Sequence, residues 1–322
     1  MMFTVNNLLA RFLSNRSRQQ QSKYSRLSNK LIEDQECVAT IIIPVRVAGE
    51  VREPLKRLRR LLHLIPFSFE IIVVDDGSTP SGSALIRKCV NAYPRSQYFY
   101  LPTGDLRFSL ARARNYGAKY ATADIVVFHD LDFLGTYRTY LDIIDRIHQM
   151  ALAEDFRKFF CIPVAFLTNV GTRQYMRFFQ KQPNAQNPEF FRQTEHDHFL
   201  KFLVLGSSCI VVFKNHFLEM GGHDETYDGH GAEDFELLHR LSKIYPIAPR
   251  PPGYEINMGS GAIKEYRGFR AYFALYGKDC EMHNCVLVHL YHPKRLDTGY
   301  YQHERNFAKL KSLMISDNGS YD

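Results

Sequence analysis

The stretch Ile125-Val126-Val127-Phe128-His129-Asp130-Leu131-Asp132 decides how this chain is read, because an apolar run stops there and two carboxylates follow one residue apart. A continuous β-branched and aromatic run suits a strand of a parallel sheet covered on both faces. The carboxylates then stand at its carboxyl end. In open α/β sheets that edge receives ligands, and an Asp-x-Asp there can place one or both carboxylates around a hard divalent cation bridging a diphosphate. Asp is also common in turns and helix caps, so the surrounding chain has to choose between the two.

Working outward, Val38 to Val45 is a β-branched run, and Pro54 to Leu64 carries leucines at helical spacing with Lys56, Arg57, Arg59 and Arg60 on the other side. Glu70 to Val74 is a second buried strand, ending in Asp75-Asp76-Gly77-Ser78-Thr79. Strand, helix and strand with carboxylates at the second tip make a βαβ unit that opens a nucleotide-type crevice. Ser83 to Ala92 reads as a helix, Gln97 to Leu101 as a short strand, and Ser109 to Tyr120 as a helix leading into the strand before Asp130. Three strand tips converge on one edge. The expected fold is α/β, a mostly parallel twisted sheet flanked by helices. Arg107, Arg112 and Arg114 gather cationic donors near that edge, where a diphosphate would otherwise repel Asp130 and Asp132. Arg114 is the favoured donor; an arginine on a helix is more often solvated, which is the competing reading for Arg112.

Ile43-Pro44-Val45 followed by Val73-Val74-Asp75-Asp76-Gly77-Ser78 resembles the start of the GT-A glycosyltransferases of the large inverting group often called family 2. The resemblance implies that Asp75 and Asp76 hold the base and ribose of a nucleotide sugar, with Pro44 and Arg46 beside them. Leu110-Ala111-Arg112-Ala113-Arg114-Asn115-Tyr116-Gly117 resembles the family's helix beside the diphosphate, and Asp130-Leu131-Asp132 its metal motif. It thus implies a nucleotide-binding set that includes Arg112, Arg114 and Asp130, and a metal ligand at Asp132.

Downstream, Thr136 to Leu152 reads as a helix and Phe159 to Val164 as a strand, while Asn169 to Lys201 lacks clear periodicity. A long irregular segment in a compact domain is usually functional or mobile, so an acceptor-binding or lid region is expected there. Leu205-Gly206-Ser207-Ser208 is a small-residue turn entering a strand. Gly229-His230-Gly231-Ala232-Glu233-Asp234 then precedes a helix whose apolar side is Phe235, Leu237, Leu238 and Leu241. The glycines would let backbone pass close to a sugar. Carboxylates at a helix N-terminus are also favoured by its dipole, which explains Glu233 and Asp234 without any ligand.

This segment resembles the carboxyl-terminal half of β-1,4-galactosyltransferase-like and chondroitin-polymerase-like enzymes, with their Gly-x-Gly-x-Glu-Asp motif. The resemblance implies Asp234 as catalytic base and Glu233, Gly231, Gly206 and Ser207 as substrate contacts. His230 stands where the galactosyltransferases have Trp, and Ala232 where they have a third small residue, so the sugar is not specified. Val288-His289-Leu290-Tyr291-His292-Pro293 looks like the family's late His-x-x-His-Pro ending and implies a histidine on the metal, His292 ahead of His289. A carboxylate and imidazole shell suits Mn²⁺ ahead of Mg²⁺.

The whole chain has 322 residues, 45% hydrophobic content, a net charge of +7 and six scattered cysteines with no Cys-x-x-Cys pair. Such composition supports a large core or two modest ones, reduced thiols and a cytoplasmic home. No apolar run reaches the roughly 20 residues that span a bilayer. The expected organisation is a basic extension over residues 1–36, a single GT-A domain over 37–314 with a nucleotide-binding half (37–135) and an acceptor and catalytic half (136–314), and a polar tail over 315–322. The positive charge in the extension is compatible with a peripheral membrane contact. Pro246 to Lys264 is read as a mobile loop and Tyr300 to Met314 as an amphipathic helix.

The function these readings imply is metal-dependent, inverting transfer of a hexose or N-acetylhexosamine (galactose, N-acetylgalactosamine or N-acetylglucosamine class) from a UDP-sugar to an oligosaccharide or glycolipid acceptor, in capsule or lipopolysaccharide synthesis. The rival classes are a silent sugar-nucleotide-binding scaffold, expected to lack the Asp-x-Asp or the base, and a nucleotidyltransferase, which would have no use for Gly229 to Asp234. No nucleic-acid recognition motif is present, and the basic residues are dispersed.

Overall fold

The structure, a computed structural model, describes residues 36–193, 198–259, 263–294 and 299–318. The basic extension before residue 36 and the tip of the proline- and glycine-rich loop, residues 260–262, lie outside the described residues. The described residues from Val38 onward form one compact unit. In chain order they carry β1 (Ala39–Val45), α1 (Arg52–Leu64), β2 (Phe69–Asp76), α2 (Pro80–Val90), β3 (Ser96–Leu101), α3 (Leu110–Tyr120), β4 (Ile125–Phe128), β5 (Phe133–Leu134), α4 (Tyr137–Gln149), β6 (Phe159–Cys161) and β7 (Val164–Leu167). Then come α5 (Asn169–Lys181), α6 (Asn187–Gln193), β8 (Leu200–Val204), β9 (Ile210–Phe213), α7 (Lys214–Glu219), α8 (Glu233–Ile244), β10 (Asn257–Met258), β11 (Arg267–Gly268), α9 (Phe269–Met282), β12 (Leu287–His289) and α10 (His303–Asn318).

The central sheet runs β3-β2-β1-β4-β9-β6. Its first four strands are parallel, and β9 is antiparallel to both of its neighbours, β4 and β6. Side chains alternate across the strands, so the continuous apolar runs feed two separate cores. Ile41, Ile43, Val73 and Val127 face α1, α2 and α4, where Leu58, Ile86 and Ile143 are buried. Ile42, Ile72, Val126 and Phe128 face α3, α8, α9 and α10, where Ala113, Leu237, Phe273 and Leu310 are buried. This is the mixed α/β, mostly parallel, helix-flanked sheet expected from the sequence. Among the described residues, no helix is long and apolar enough to cross a membrane.

A second sheet, β5-β12-β7-β8, is absent from the sequence reading. Phe159 to Val164 is not one strand: Pro163 separates β6, in the central sheet, from β7, in the second. Asn169 to Lys181, expected to be irregular, is helical. Thr168 caps it by accepting from Gly171 N at 2.9 Å, and Tyr175 and Phe178 bury one face against Phe190 of α6. Arg173, Arg177 and Gln180 are exposed on the other side and hide the period. The last helix begins at His303 and continues to Asn318, past the expected start of the polar tail.

Helix α9 meets the turn before β9 backbone to backbone. A Cβ at Gly277 would lie 1.9 Å from the Leu205 carbonyl oxygen, and one at Gly206 would lie 2.2 Å from that of Phe273. Gly277→Ala is expected to destabilise the fold by about 1–3 kcal/mol, since backbone cannot swing aside as a side chain can. Gly49→Ala, whose new Cβ meets nothing within 4 Å, should stay within about 0.5 kcal/mol of wild type. Chemical denaturation of both variants checks the difference.

Candidate active site

The site begins where β4 leaves the sheet. His129 N still donates to Ile42 O at 3.0 Å, and then the chain turns so that Asp130 and Asp132 stand beyond the strand tip. His129 is fully buried, and burial lowers its pKa to about 4, so the ring is neutral. Its Nδ1 lies 2.9 Å from Asp130 O and its Nε2 3.1 Å from Tyr140 OH. A neutral ring donates to the carbonyl and accepts from the phenol, which fixes the peptide of the motif itself.

Arg114 of α3 is completely buried and bridges two carboxylates. Its Nη2 donates to Asp130 Oδ1 at 2.8 Å, and its Nη1 to Asp234 Oδ1 at 2.5 Å. Burial works against its charge, but Asp234, Asp130 and then Glu233 outweigh it and hold the guanidinium firmly protonated. Arg114 thus meets the two halves of the site from below rather than standing free. Its neighbour Asn115 fastens the other side: Nδ2 donates to His223 O and Glu225 Oε1, both at 2.9 Å, and Oδ1 accepts from His223 N at 2.8 Å.

Asp234 lies in the first turn of α8 and is 6% exposed. Burial raises its pKa; Arg114 opposes this, while the neighbouring Glu233 and Asp130 charges add to it. Glu233 points back into its own loop, where Oε2 accepts from Gly231 N at 2.7 Å and Oε1 lies 3.4 Å from His230 Nδ1. Burial pushes Glu233 up, but His230 and Arg114 pull it further down, so it stays ionised. The two adjacent carboxylates are therefore driven apart: Glu233 is a fixed anion, and Asp234 readily takes a proton.

Asp132, His289 and His292 come together, with one ligand atom from each within 4.8 Å of the others. The second sheet explains this meeting. Strand β12 runs antiparallel to β5, with His289 opposite Phe133 and Leu290 N donating to Asp132 O at 2.9 Å. His292 Nδ1 lies 2.9 Å from Pro293 O, so that nitrogen carries the hydrogen of the bond. The other ring nitrogen, Nε2, faces Asp132 Oδ2 at 3.3 Å. One carboxylate and two imidazoles converging in this way are a donor set that fits a divalent metal.

The remaining expected residues are placed less simply. Asp75 is saturated within the fold by Ser78 N, Ser83 Oγ and Tyr98 OH, each at 2.8 Å. Asp76 accepts from Arg112 Nε at 2.9 Å and Nη2 at 2.8 Å, from Thr103 Oγ1 at 2.7 Å and from Ser109 N at 2.8 Å. Both carboxylates are fully buried, and Arg112 is half-buried and ion-paired rather than free. Pro44 lies in β1 opposite Val74, and Arg46 folds over the 104–106 loop by donating to Gly104 O and Leu106 O.

Gly206 spends its small size on α9. Ser207 is half-buried, and it is Ser208 that reaches the motif, donating to Asp130 Oδ2 at 3.4 Å. Gly229, with φ +77°, is also tight for an internal reason: a Cβ there would lie 2.4 Å from Tyr300 O. His230 N donates to Tyr300 O at 2.7 Å, its ring stacks on that of Tyr300 at 5.4 Å, and Gly231 sits against His303. The glycines hold the segment before α10, and the close approach expected toward a sugar is made here by protein. Among the residues that the sequence does not mark, Arg57 is the one within the metal corner. It donates to Asp132 Oδ1, and nothing in the sequence separates it from Lys56, Arg59 and Arg60.

Residues 40–313 match the family described as glycosyltransferase like family 2, and the chain belongs to that family. It is similar to the validoxylamine A glucosyltransferase of Streptomyces hygroscopicus subsp. limoneus, at 26% identity over 200 residues, 55% of this chain and 41% of the relative. The protein of the same name from subsp. jinggangensis (strain 5008) is 26% identical over 197 residues, 54% of this chain and 44% of the relative. The chain thus spans less than half the length of these curated relatives. Among solved structures, the mannosyltransferase PcManGT from Pyrobaculum calidifontis, in complex with GDP-Man and Mn²⁺, is similar at 16% identity and a TM-score of 0.42, covering 86% of this chain and 65% of that one. S. aureus TarS 1-349 is similar at 16% identity and a TM-score of 0.41, covering 65% of this chain and 55% of that one.

Removing the cation of the buried triad tests its weight. Arg114→Met is expected to cost about 3–5 kcal/mol at neutral pH, because it leaves the buried Asp234 carboxylate uncompensated. The variant loses the cation that opposes the upward shift of Asp234, so this carboxyl would bind its proton more tightly folded than unfolded. Stability then rises as pH falls from its folded pKa toward the ordinary carboxylate range, so the deficit shrinks in acid. Urea unfolding of variant and wild type at pH 7.5 and pH 5 (about 2.5 units apart) measures it.

Proposed function

We propose that this chain is a metal-dependent, inverting glycosyltransferase that moves a hexose or N-acetylhexosamine from a UDP-sugar to an oligosaccharide or glycolipid acceptor of the capsule or lipopolysaccharide type. One observation carries the reading. Asp234, whose proton affinity burial raises, is joined through Arg114 to Asp130, two residues before the Asp132, His289 and His292 cluster. In this reading the base is tied by ion pairs to the first carboxylate of the Asp-x-Asp, and the second carboxylate belongs to the leaving-group site. The family membership and the 26% identity to glucosyltransferases support a hexosyl donor.

In the proposed reaction the acceptor hydroxyl attacks the anomeric carbon from the face opposite the nucleoside diphosphate, and Asp234 takes its proton as the new bond forms. Glu233 stays ionised against His230 and Gly231, and its charge adds to the burial that raises the proton affinity of Asp234. Asp132, His289 and His292 would hold the metal, with Mn²⁺ ahead of Mg²⁺ for this mixed shell. A divalent ion there would neutralise the charge that develops on the departing diphosphate. Asp130, half-satisfied by Arg114 and Ser208, stands two residues from Asp132 and would face the same diphosphate.

The test is release of UDP from a panel of UDP-sugars, with and without Mn²⁺. Metal-dependent turnover of one donor is expected, reduced at least about 100-fold in Asp234→Asn. Only ionised Asp234 accepts the proton, so transfer should fall on acidification, with a midpoint above the ordinary Asp value of about 3.9 and displaced toward neutrality. A folded Asp234→Asn variant that keeps near wild-type transfer would remove the base, and absence of UDP binding with metal present would remove the donor class.

A further inference from the structure

We infer that Arg57 is the positioning residue of the metal-ligating corner, an assignment that rests on Asp132, His289 and His292 being the ligands. Arg57 comes from α1, on the far side of the sequence from β12, yet its guanidinium closes three bonds there. Nη1 donates to Asp132 Oδ1 and, at 3.3 Å, to Leu290 O; Nη2 donates to Tyr291 O at 2.8 Å. Its side chain is 12% exposed, so these bonds are made away from bulk water.

The bonds divide the work of the corner. With Oδ1 of Asp132 taken by Arg57, Oδ2 is the oxygen that faces His292 Nε2. The carbonyls of Leu290 and Tyr291 are the last two before His292, so the same fork sets where that residue leaves the strand. Thr172 Oγ1 holds the other side of this exit by accepting from Tyr291 N at 2.8 Å. A planar guanidinium can serve a carboxylate and two carbonyls at once in fixed directions, whereas an ammonium is a single point donor.

Charge and geometry predict opposite results. If Arg57 acted only as a positive charge beside a cation site, its removal would tighten metal binding, and Lys would be equivalent to Arg. If it acts by positioning, both Arg57→Ala and Arg57→Lys loosen the site despite the charge kept by Lys. Loss of a group that orients a metal ligand typically weakens metal affinity about 10–100-fold.

The experiment is electron paramagnetic resonance titration of free Mn²⁺ with the full chain, alone and with UDP, for wild type, Arg57→Ala and Arg57→Lys, each checked by thermal unfolding without metal. The expected result is weaker Mn²⁺ binding in both variants, by about 10-fold or more in Arg57→Ala. Unchanged or tighter binding in folded Arg57→Ala, or wild-type binding in Arg57→Lys, overturns the positioning role and leaves the ligand assignment standing. Should Arg57→Ala fail to fold, Arg57→Lys alone decides the matter. Wild type that takes up no Mn²⁺, alone or with UDP, overturns the ligand assignment and this proposal together.

Discussion

The buried guanidinium of Arg114 is the constraint on which the rest of this site depends. Taking an arginine wholly out of water is costly unless its charge is met by well-placed anions. Here Asp130 and Asp234 meet it from segments 16 and 120 residues away in sequence. The strand tip and the first turn of α8 therefore cannot shift separately. Asp234 would otherwise be a buried anion close to the partly exposed Asp130, so the same cation that draws them together makes their proximity tolerable. The surrounding sequence follows from that position. Ala113 and Ala118 pack α3 on the sheet, Gly117 lets it approach Ile42 and Val74, and Asn115 ties down the His223 loop that leads to α8.

Much of the first half was legible because its signals are local. Continuous β-branched runs mark β1, β2 and β4, each ends near a carboxylate or a turn, and parallel order then puts the tips on one edge. The second sheet was not legible, because β5 has two residues and acquires its meaning only by pairing with β12, more than 150 positions later. That pairing is also what brings His289 and His292 to Asp132. Family likeness pointed to the residues, but local pattern contains no such contact. Helix α5 was hidden by a polar face that broke the visible period, although Tyr175 and Phe178 lie three apart as one buried stripe requires.

The glycine motif shows a different kind of ambiguity. Gly229 and Gly231 precede a carboxylate pair, and their smallness alone does not say which neighbour needs it. The space at Gly229 is filled by the Tyr300 carbonyl, and His230 adds a backbone bond and a ring stack to the same segment. Fixing this segment also fixes the start of α8, since Glu233 accepts from Gly231 N and Ala232 enters the helix at φ +69°. Asp234 is consequently aimed by contacts that it does not itself make.

A common arrangement links the two carboxylates of the Asp-x-Asp. Asp130 gives Oδ1 to Arg114, and its Oδ2 accepts, among the described residues, from the Ser208 hydroxyl at 3.4 Å. Asp132 gives Oδ1 to Arg57 and leaves Oδ2 facing His292 at 3.3 Å. Each aspartate is thus held in direction by one strong charge-assisted bond while its second oxygen keeps unused acceptor capacity. An Asp-x-Asp at a strand tip without such arginines would turn freely or saturate itself in a cap, as Asp75 does with Ser78 and Ser83. What separates the ligand-ready motif from the structural one is which side of the carboxylate the fold has already spent.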